Sequence, residues 1–552
     1  MRWRIGFALT ALTAILVPAG PAAAADNGTI RPVRECASLV GDFRLPSGVA
    51  HVTVATPVPA NTTDPAHCDV RGVIDPAVRF QLRLPTDTFA GRYLQYGCGG
   101  FCGQLDVPAF PTCGGPPGAD MAVGATDDGH VGGGVLPFLD GRWGADNQAA
   151  RDDWLFRAPH VVSQAAKRVI AAYYGTPPRR SYFTGCSNGG REALLLAQRY
   201  PTDFNGIVAG APAFAIAPLA GVFETWIARA NTAADGTSIL TGDKLPALHT
   251  AVVAACDNLD GLVDGQLADP RACHYNPAAL ACPAGADRPD CLTPAQVRTV
   301  RKLYAGPTDA GGRRLYPGGE AYGSELAWYA WVVPVPELGG GIAAQLSDNY
   351  LRYLGYPIGT PHSSLADFPF TIAEFNRLAT EGVKGNAMSL DLSRFRRAGG
   401  KLVIWHGWAD SAIPPVGTLD YYQRLWQRDG GLRQTQQYAR VFMVPTMYHC
   451  ADGSALTEFD PLPELVGWVE HGAAPDRVVA VGRTEPQGPV VRSRPVFPYP
   501  LQARYDGSGS VDDASNFVPV APRHRPNDVI DWVGAGLYAG PPGPVSTVLP
   551  GD

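Results

Sequence analysis

The sequence lacks the features that mark nucleic-acid-binding and membrane-spanning proteins. It has no Lys/Arg-rich run, and its 45 basic residues are outnumbered by 51 acidic ones. Nucleic acids are bound through clustered positive charge, so we expect no nucleic-acid partner. No segment after residue 25 has the ~20 consecutive apolar residues of a membrane helix, and no internal repeat is present. Only 17% of the 552 residues are charged, which is ordinary for a folded globular protein.

Residues 1–25 have the pattern of a secretory signal peptide. Arg2 and Arg4 precede an apolar run of 13 residues, 5–17, and an A-x-A cleavage site ends at Ala25. A membrane anchor is the alternative reading, but it needs ~20 apolar residues to span a bilayer. We therefore predict that the mature chain is secreted and soluble, with no membrane partner.

Short apolar runs that alternate with helical patterns predict a mainly parallel sheet. The pattern runs from about Tyr93 to Ala213 and returns at 401–407 and 440–444. Cysteines, tight turns and aromatic stretches replace it in between, which indicates an inserted domain. The C-terminal part, 492–552, is rich in Pro and Gly and reads as loop-dominated. After the signal peptide we predict one sheet domain in two segments, 26–214 and 396–552, with the inserted domain at 215–395 between them.

All cysteines follow the signal segment: Cys36, Cys68, Cys98, Cys102, Cys113, Cys186, Cys256, Cys273, Cys282, Cys291 and Cys450. In an exported protein this pattern predicts disulfides. Zinc is the alternative for the closely spaced Cys98 and Cys102, but no Cys/His pair follows at a matching spacing. Because 11 is an odd number, at least one thiol is free or pairs outside the chain.

A nucleophile motif, G-x-S-x-G, lies at 185–189 between a predicted strand and a predicted helix. A sharp strand-to-helix turn exposes the hydroxyl of Ser187, and glycines on both sides permit the tight backbone. The motif also occurs by chance as a plain turn. Its position between strand and helix makes Ser187 our candidate nucleophile.

An acid and a base follow the serine in the chain order that this arrangement requires. Asp410 comes directly after one predicted strand, and His449 after the next. A serine hydroxyl needs a base to take its proton, and the base needs an acid to orient it. A capping Asp and a packed His are the structural alternatives. His406 precedes the acid at a strand end, so we expect it to support the site rather than act as the base.

Backbone N–H groups are expected to stabilise the oxyanion that forms during the reaction. We predict those of Asn188, the residue after the nucleophile, and of Gly99 or Gly100. The two glycines lie in a Gly-rich loop that follows a strand-like segment. An ordinary turn is the alternative for that loop.

Three separated motifs together resemble the tannase and feruloyl esterase family. They are Cys186-Ser187, Asp410 in a His-Gly-Trp-Ala-Asp stretch, and His449-Cys450. The likeness covers most of the mature chain. It implies an α/β-hydrolase fold with a lid domain, and hydrolysis of esters of aromatic acids.

The family's lid often holds a calcium ion, and a matching segment is present at 256–266. Its spaced carboxylates suit a hard cation that prefers oxygen ligands, although the spacing is not that of an EF-hand. A solvated acidic turn is the alternative. The resemblance implies a structural Ca²⁺ bound by the side chains of Asp257, Asp260 and Asp264 and the carbonyls of Leu262 and Gln266.

Cys186 directly precedes Ser187 and Cys450 directly follows His449, which predicts a disulfide between the two cysteines; two buried thiols with other partners are the alternative. A disulfide holds two Cα atoms ~5.5 Å apart, so it would bring Ser187 and His449 close together. Closing so long a loop contributes ~4–5 kcal/mol in the chain-entropy model. We also expect Cys256 to pair with Cys273 and Cys282 with Cys291. The pairing of the other five cysteines stays open.

The function expected from these residues is that of a secreted serine esterase whose partner is a small aromatic ester. The resemblance leaves open which ester is the substrate: a feruloyl or other hydroxycinnamoyl ester, a galloyl ester, or a terephthalate monoester. Two alternatives remain: a non-catalytic binding protein on the same fold, and an amidase or peptidase. The sequence sets no oligomeric state.

Overall fold

A computed structural model of the chain describes residues 28–107, 120–486, 488–522 and 526–539. The predicted signal peptide and Cys113 lie outside the described residues. The strands are β1 (Gly41–Leu45), β2 (Gly48–Val58), β3 (His67–Ile74), β4 (Val78–Pro85), β5 (Arg92–Tyr96), β6 (Met121–Thr126), β7 (Arg180–Cys186), β8 (Gly206–Gly210), β9 (Lys401–Gly407), β10 (Ala439–Val444), β11 (Val478–Arg483), β12 (Val490–Val496), β13 (Gln502–Tyr505) and β14 (Phe517–Val520). The α-helices are α1 (Gln148–Asp152), α2 (Ala158–Tyr174), α3 (Asn188–Arg199), α4 (Glu224–Ala230), α5 (Leu245–Cys256), α6 (Pro294–Ala305), α7 (Ile342–Asn349), α8 (Ile372–Gly382), α9 (Ser393–Arg397), α10 (Val416–Arg428), α11 (Leu432–Thr435) and α12 (Leu462–His471).

A ten-stranded mixed sheet organises the molecule, with strand order β1-β2-β3-β4-β6-β5-β7-β8-β9-β10. The strands from β6 onward along this order pair in parallel, as the sequence predicts. The first four strands form an antiparallel extension that the sequence analysis did not anticipate. Parallel strands present their carboxyl ends at one edge, which is where the motif residues are collected.

Helices cover both faces of the sheet because successive strand residues point in opposite directions. In β7, Phe183 packs into the core that also holds Leu194 of α3 and Val162 of α2. Its neighbour Tyr182 packs on the other face with Leu465 of α12. The result is a three-layer α/β/α arrangement. In the described part of the chain no helix has the length and apolar character needed to cross a membrane.

The segment predicted as the lid, 215–395, is inserted between β8 and β9. It is described in full and forms helices, short helical turns and isolated bridges, without a strand. The predicted pairs Cys256–Cys273 and Cys282–Cys291 are both present as disulfides within it. The predicted boundary at residue 395 falls inside α9, which spans Ser393–Arg397.

The prediction of a loop-dominated C-terminal part is wrong for its first section. β12 pairs with β11, and β13 pairs with β14, as two small antiparallel sheets. Pro495 and Pro519 lie inside these pairings, and prolines of this kind hide a strand pattern in the sequence.

Candidate active site

Ser187 lies at the turn between β7 and α3 in a strained backbone conformation. Its φ of 63° and ψ of −121° fall in a region that residues with a side chain rarely adopt. The turn is tight: a Cβ on Gly185 would lie 2.6 Å from the backbone of Gly189, and one on Gly190 would lie 2.2 Å from the carbonyl oxygen of Gly210. The glycines therefore permit the close approach that projects the serine from the sheet edge.

Asp410 and His449 form a hydrogen-bonded pair. His449 Nδ1 lies 2.8 Å from Asp410 Oδ2. The other carboxylate oxygen accepts the backbone N–H groups of Ala412 at 2.8 Å and Ile413 at 2.9 Å. This arrangement fixes the ring so that Nε2 is the nitrogen left for a proton transfer.

The carboxylate of Asp410 is fully buried and still favours its charged form. Burial opposes ionisation, but the neighbouring His449 and His406 outweigh it and hold the pKa of Asp410 well below its usual value. His406 is itself fully buried, with Nε2 3.2 Å from Asp410 Oδ2 and Nδ1 2.8 Å from Thr418 Oγ1. These contacts hold His406 against the carboxylate of Asp410 and use both of its ring nitrogens.

A disulfide joins Cys186 to Cys450, with Cα atoms 5.8 Å apart. It links the residue before Ser187 to the residue after His449, as the sequence predicts. The two disulfides that the sequence left open are Cys36–Cys68 and Cys98–Cys102. The latter uses both thiols that the zinc alternative required.

The Ser187 cavity brings the candidate nucleophile together with most of the predicted oxyanion residues. Its lining includes Gly100, Phe101, Ser187, Asn188, Glu224 and Trp331. Gly99 is not part of the lining, and its carbonyl oxygen accepts the N–H of Cys102 at 2.9 Å. The side chain of Asn188 donates to the carbonyl oxygen of Cys98 at 3.3 Å. This bond ties the start of α3 to the Gly-rich loop.

Two residues of the Ser187 cavity were not singled out as site residues from the sequence. Glu224 is buried, and its Oε2 accepts a hydrogen bond from Trp331 Nε1 at 3.0 Å. The Trp331 ring lies 5.6 Å from the His449 ring, centroid to centroid. The available signal was that Glu224 is the one charged residue in the otherwise uncharged stretch 204–228. An ionisable side chain in so apolar a stretch needs a structural or functional partner once it is buried.

The predicted calcium ligands lie together, apart from the Ser187 cavity. Asp260, Leu262, Asp264 and Gln266 line a second cavity. Asp257 is not part of that lining, and its carboxylate accepts N–H groups of residues 264–266 at 3.0–3.3 Å.

The chemistry of this second cavity fits an oxygen-preferring cation. Burial raises the pKa values of Asp260 and Asp264, and the negative charge of Asp257 raises both further. Gln266 Oε1 is buried and has no hydrogen-bond partner among the described residues. Arg494 Nη2 lies 2.5 Å from Asp264 Oδ2 and supplies part of the neutralising charge. A divalent cation would supply the rest.

Comparison with known proteins gives consistent matches over most of the chain. The family model described as Tannase and feruloyl esterase matches residues 63–520. The chain is 33% identical to mono(2-hydroxyethyl) terephthalate hydrolase of Piscinibacter sakaiensis, over 87% of this chain and 90% of that protein. It is 31% identical to a probable feruloyl esterase of Arthroderma benhamiae, over 79% and 81% of the two chains. The solved structure of feruloyl esterase B from Aspergillus oryzae matches with TM-score 0.74 and 27% identity, over 85% of this chain and 97% of that one. The predicted α/β-hydrolase fold is thereby confirmed.

We predict that the Cys186–Cys450 disulfide sets the distance between Ser187 and His449. Replacing both cysteines, by Cys186→Ala with Cys450→Ala, should lower kcat by ten- to a hundredfold, because small displacements of catalytic groups are costly. The matched control is Cys36→Ala with Cys68→Ala, which removes a disulfide that touches neither motif. Both double variants should melt at lower temperature. Equal kcat in the two, measured below both melting temperatures, would contradict the prediction.

Proposed function

Since this chain belongs to the tannase and feruloyl esterase family of carboxylic ester hydrolases, we propose that it cleaves esters of aromatic acids through an acyl group on Ser187. The observation that carries the proposal is the His449–Asp410 pair held beside the serine turn by the Cys186–Cys450 disulfide. The names of the relatives support aromatic esters as the substrate class. They also favour esterase over amidase or peptidase activity, and an enzyme over a binding protein.

The first half of the proposed reaction transfers the acyl group to the enzyme. Oγ of Ser187 forms a bond to the ester carbonyl carbon, and its proton passes to Nε2 of His449. The bond between that carbon and the alcohol oxygen then breaks, and the alcohol leaves with the proton. Asp410 stays ionised throughout and stabilises the imidazolium.

The second half releases the acid. Water forms a bond to the acyl carbon and gives a proton to Nε2 of His449. The Ser187 oxygen then leaves and takes that proton back, so the free enzyme is restored. In both halves the N–H groups of Asn188 and Gly100 are proposed to hold the oxyanion, because both residues line the cavity with the serine.

Covalent labelling tests the assignment of the nucleophile. A serine-directed fluorophosphonate should label the wild-type protein and not Ser187→Ala. Ser187→Ala and His449→Ala should each lower kcat by roughly 10³-fold or more, and the double variant little further, since the residues act as a unit. The decrease in kcat should be smaller for His406→Asn than for His449→Ala. Equal labelling of wild type and Ser187→Ala would overturn the proposal.

We also propose that the chain is exported. Five disulfides among the described residues support an oxidising compartment, since such bonds rarely persist in a reducing cytosol. Protein recovered outside the producing cell should begin at Asp26. Protein retained in the cell with residues 1–25 still attached would refute the proposal.

The second cavity is proposed to hold a structural Ca²⁺. The ion would be held by Asp260, Asp264 and the carbonyl oxygens of Leu262 and Gln266, with Asp257 organising the loop behind them. It would neutralise the carboxylates that Arg494 does not reach. It takes no part in the ester chemistry.

Calcium removal should therefore lower the melting temperature. Binding to the folded chain alone adds stability by mass action, so EGTA should reduce Tm and added Ca²⁺ should restore it. Asp260→Asn should abolish the calcium response, whereas the exposed Asp235→Asn should keep it. If EGTA and Ca²⁺ leave Tm unchanged and elemental analysis finds no bound ion, the segment is only an acidic turn.

A further inference from the structure

Glu224 is a buried acid in the cavity where the acyl group must bind. It is only 1% exposed, and it lines the Ser187 cavity beside Leu219 and Ala220. Trp331 Nε1 donates to its Oε2 and holds the carboxyl group in place. The reaction described above gives this side chain no task.

The carboxyl group of Glu224 favours its neutral form. Burial raises its pKa well above the usual value, and the nearby negative charge of Asp410 raises it further, against the opposing hydrogen bond from Trp331. Glu320, also fully buried, has its pKa raised by burial and by Glu224 and Asp410. A neutral carboxyl group has one O–H donor and acceptor oxygens. With Oε2 accepting from Trp331, Oε1 is left to carry the proton.

We propose that Glu224 is a specificity-determining residue that exchanges hydrogen bonds with a hydroxyl substituent on the aromatic ring of the acyl group. A phenolic hydroxyl is both a donor and an acceptor, so it is complementary to a neutral carboxyl group fixed on one side by Trp331. This inference rests on the proposed function, since it assumes that the acyl group is bound on Ser187. It narrows the substrate class to esters of hydroxylated aromatic acids.

The same cavity is poorly suited to a terephthalate monoester. The aromatic ring of that substrate carries a carboxylate opposite the ester, and a buried carboxylate needs a cationic partner. Among the described residues that line the Ser187 cavity there is no Lys or Arg, and the one ionisable acid is Glu224. The remaining lining is mostly apolar, with Phe101, Ile413 and Leu219 available to pack on a ring.

Paired substrates that differ in one group test the proposal. Methyl 4-hydroxycinnamate is compared with methyl cinnamate, and monomethyl terephthalate with methyl benzoate. The two esters of each pair release the same alcohol, methanol, so the ratio of their kcat/KM values reports the effect of the ring substituent alone. In the wild type the hydroxyl should raise kcat/KM by about tenfold, the value of one hydrogen bond to a buried partner, and the carboxylate should lower it.

Variants of Glu224 then assign the preference to this side chain. Glu224→Gln keeps a donor and an acceptor and should retain most of the hydroxyl preference, whereas Glu224→Leu should reduce the ratio to about one. Glu374→Leu is the matched control, because it also removes a buried acid but lies outside the Ser187 cavity. It should alter Tm without altering the ratio.

The outcomes separate this inference from the proposed function. Hydrolysis of methyl cinnamate that is lost in Ser187→Ala supports the nucleophile whatever the ratios are. Equal kcat/KM for the two cinnamates in the wild type overturns the role of Glu224, even if the Leu variant fails to fold. An unchanged ratio in a folded Glu224→Leu overturns it too, and so does a wild-type preference for monomethyl terephthalate over methyl benzoate.

Discussion

The covalent link between Cys186 and Cys450 is the constraint on which the active-site geometry depends. β7 leads to Ser187 and β10 leads to His449, and two strands, β8 and β9, separate β7 from β10 in the sheet. With neighbouring strands ~4.8 Å apart, their ends lie roughly 14 Å from each other. The loop after β10 must therefore reach back across the sheet edge. The disulfide holds the Cα atoms of Cys186 and Cys450 5.8 Å apart and so keeps this loop next to the end of β7.

Two buried acids near the site have opposite protonation preferences because their partners differ. Asp410 accepts hydrogen bonds from two histidines and two backbone N–H groups, which favour the carboxylate. Glu224 accepts one hydrogen bond from the indole of Trp331, and its burial and the nearby charge of Asp410 outweigh that bond and favour the neutral acid. Environments that separate the pKa values of two acids in this way allow each acid a different role. In our account Asp410 orients the base, and Glu224 binds the hydroxyl group of the substrate ring.

The sequence predicted those parts of the structure that local patterns encode. Ser187 lies between a strand and a helix as predicted, since periodicity and the glycine turn define both elements. The pairings of Cys186, Cys256 and Cys282 were also anticipated. The antiparallel extension β1–β4 was not predicted, because its first two strands are largely exposed and form no long apolar run.

The contribution of Glu224 and Trp331 to the site was not predicted because it depends on long-range packing. They lie 107 positions apart in the sequence and meet only after the inserted segment has folded over the sheet. Aromatic residues of this segment were recognised as a group, but the sequence does not separate Trp331, which lines the Ser187 cavity, from the fully buried Trp328. Long-range packing makes that distinction.

Direct detection of the acyl-enzyme tests the central claim. Wild-type protein mixed with methyl ferulate and quenched in acid within the first turnover should carry a feruloyl group, located by peptide mass spectrometry on the peptide that contains Ser187. Ser187→Ala should carry none and should not turn over. An acyl group on a different residue, or undiminished hydrolysis by Ser187→Ala, would contradict the account.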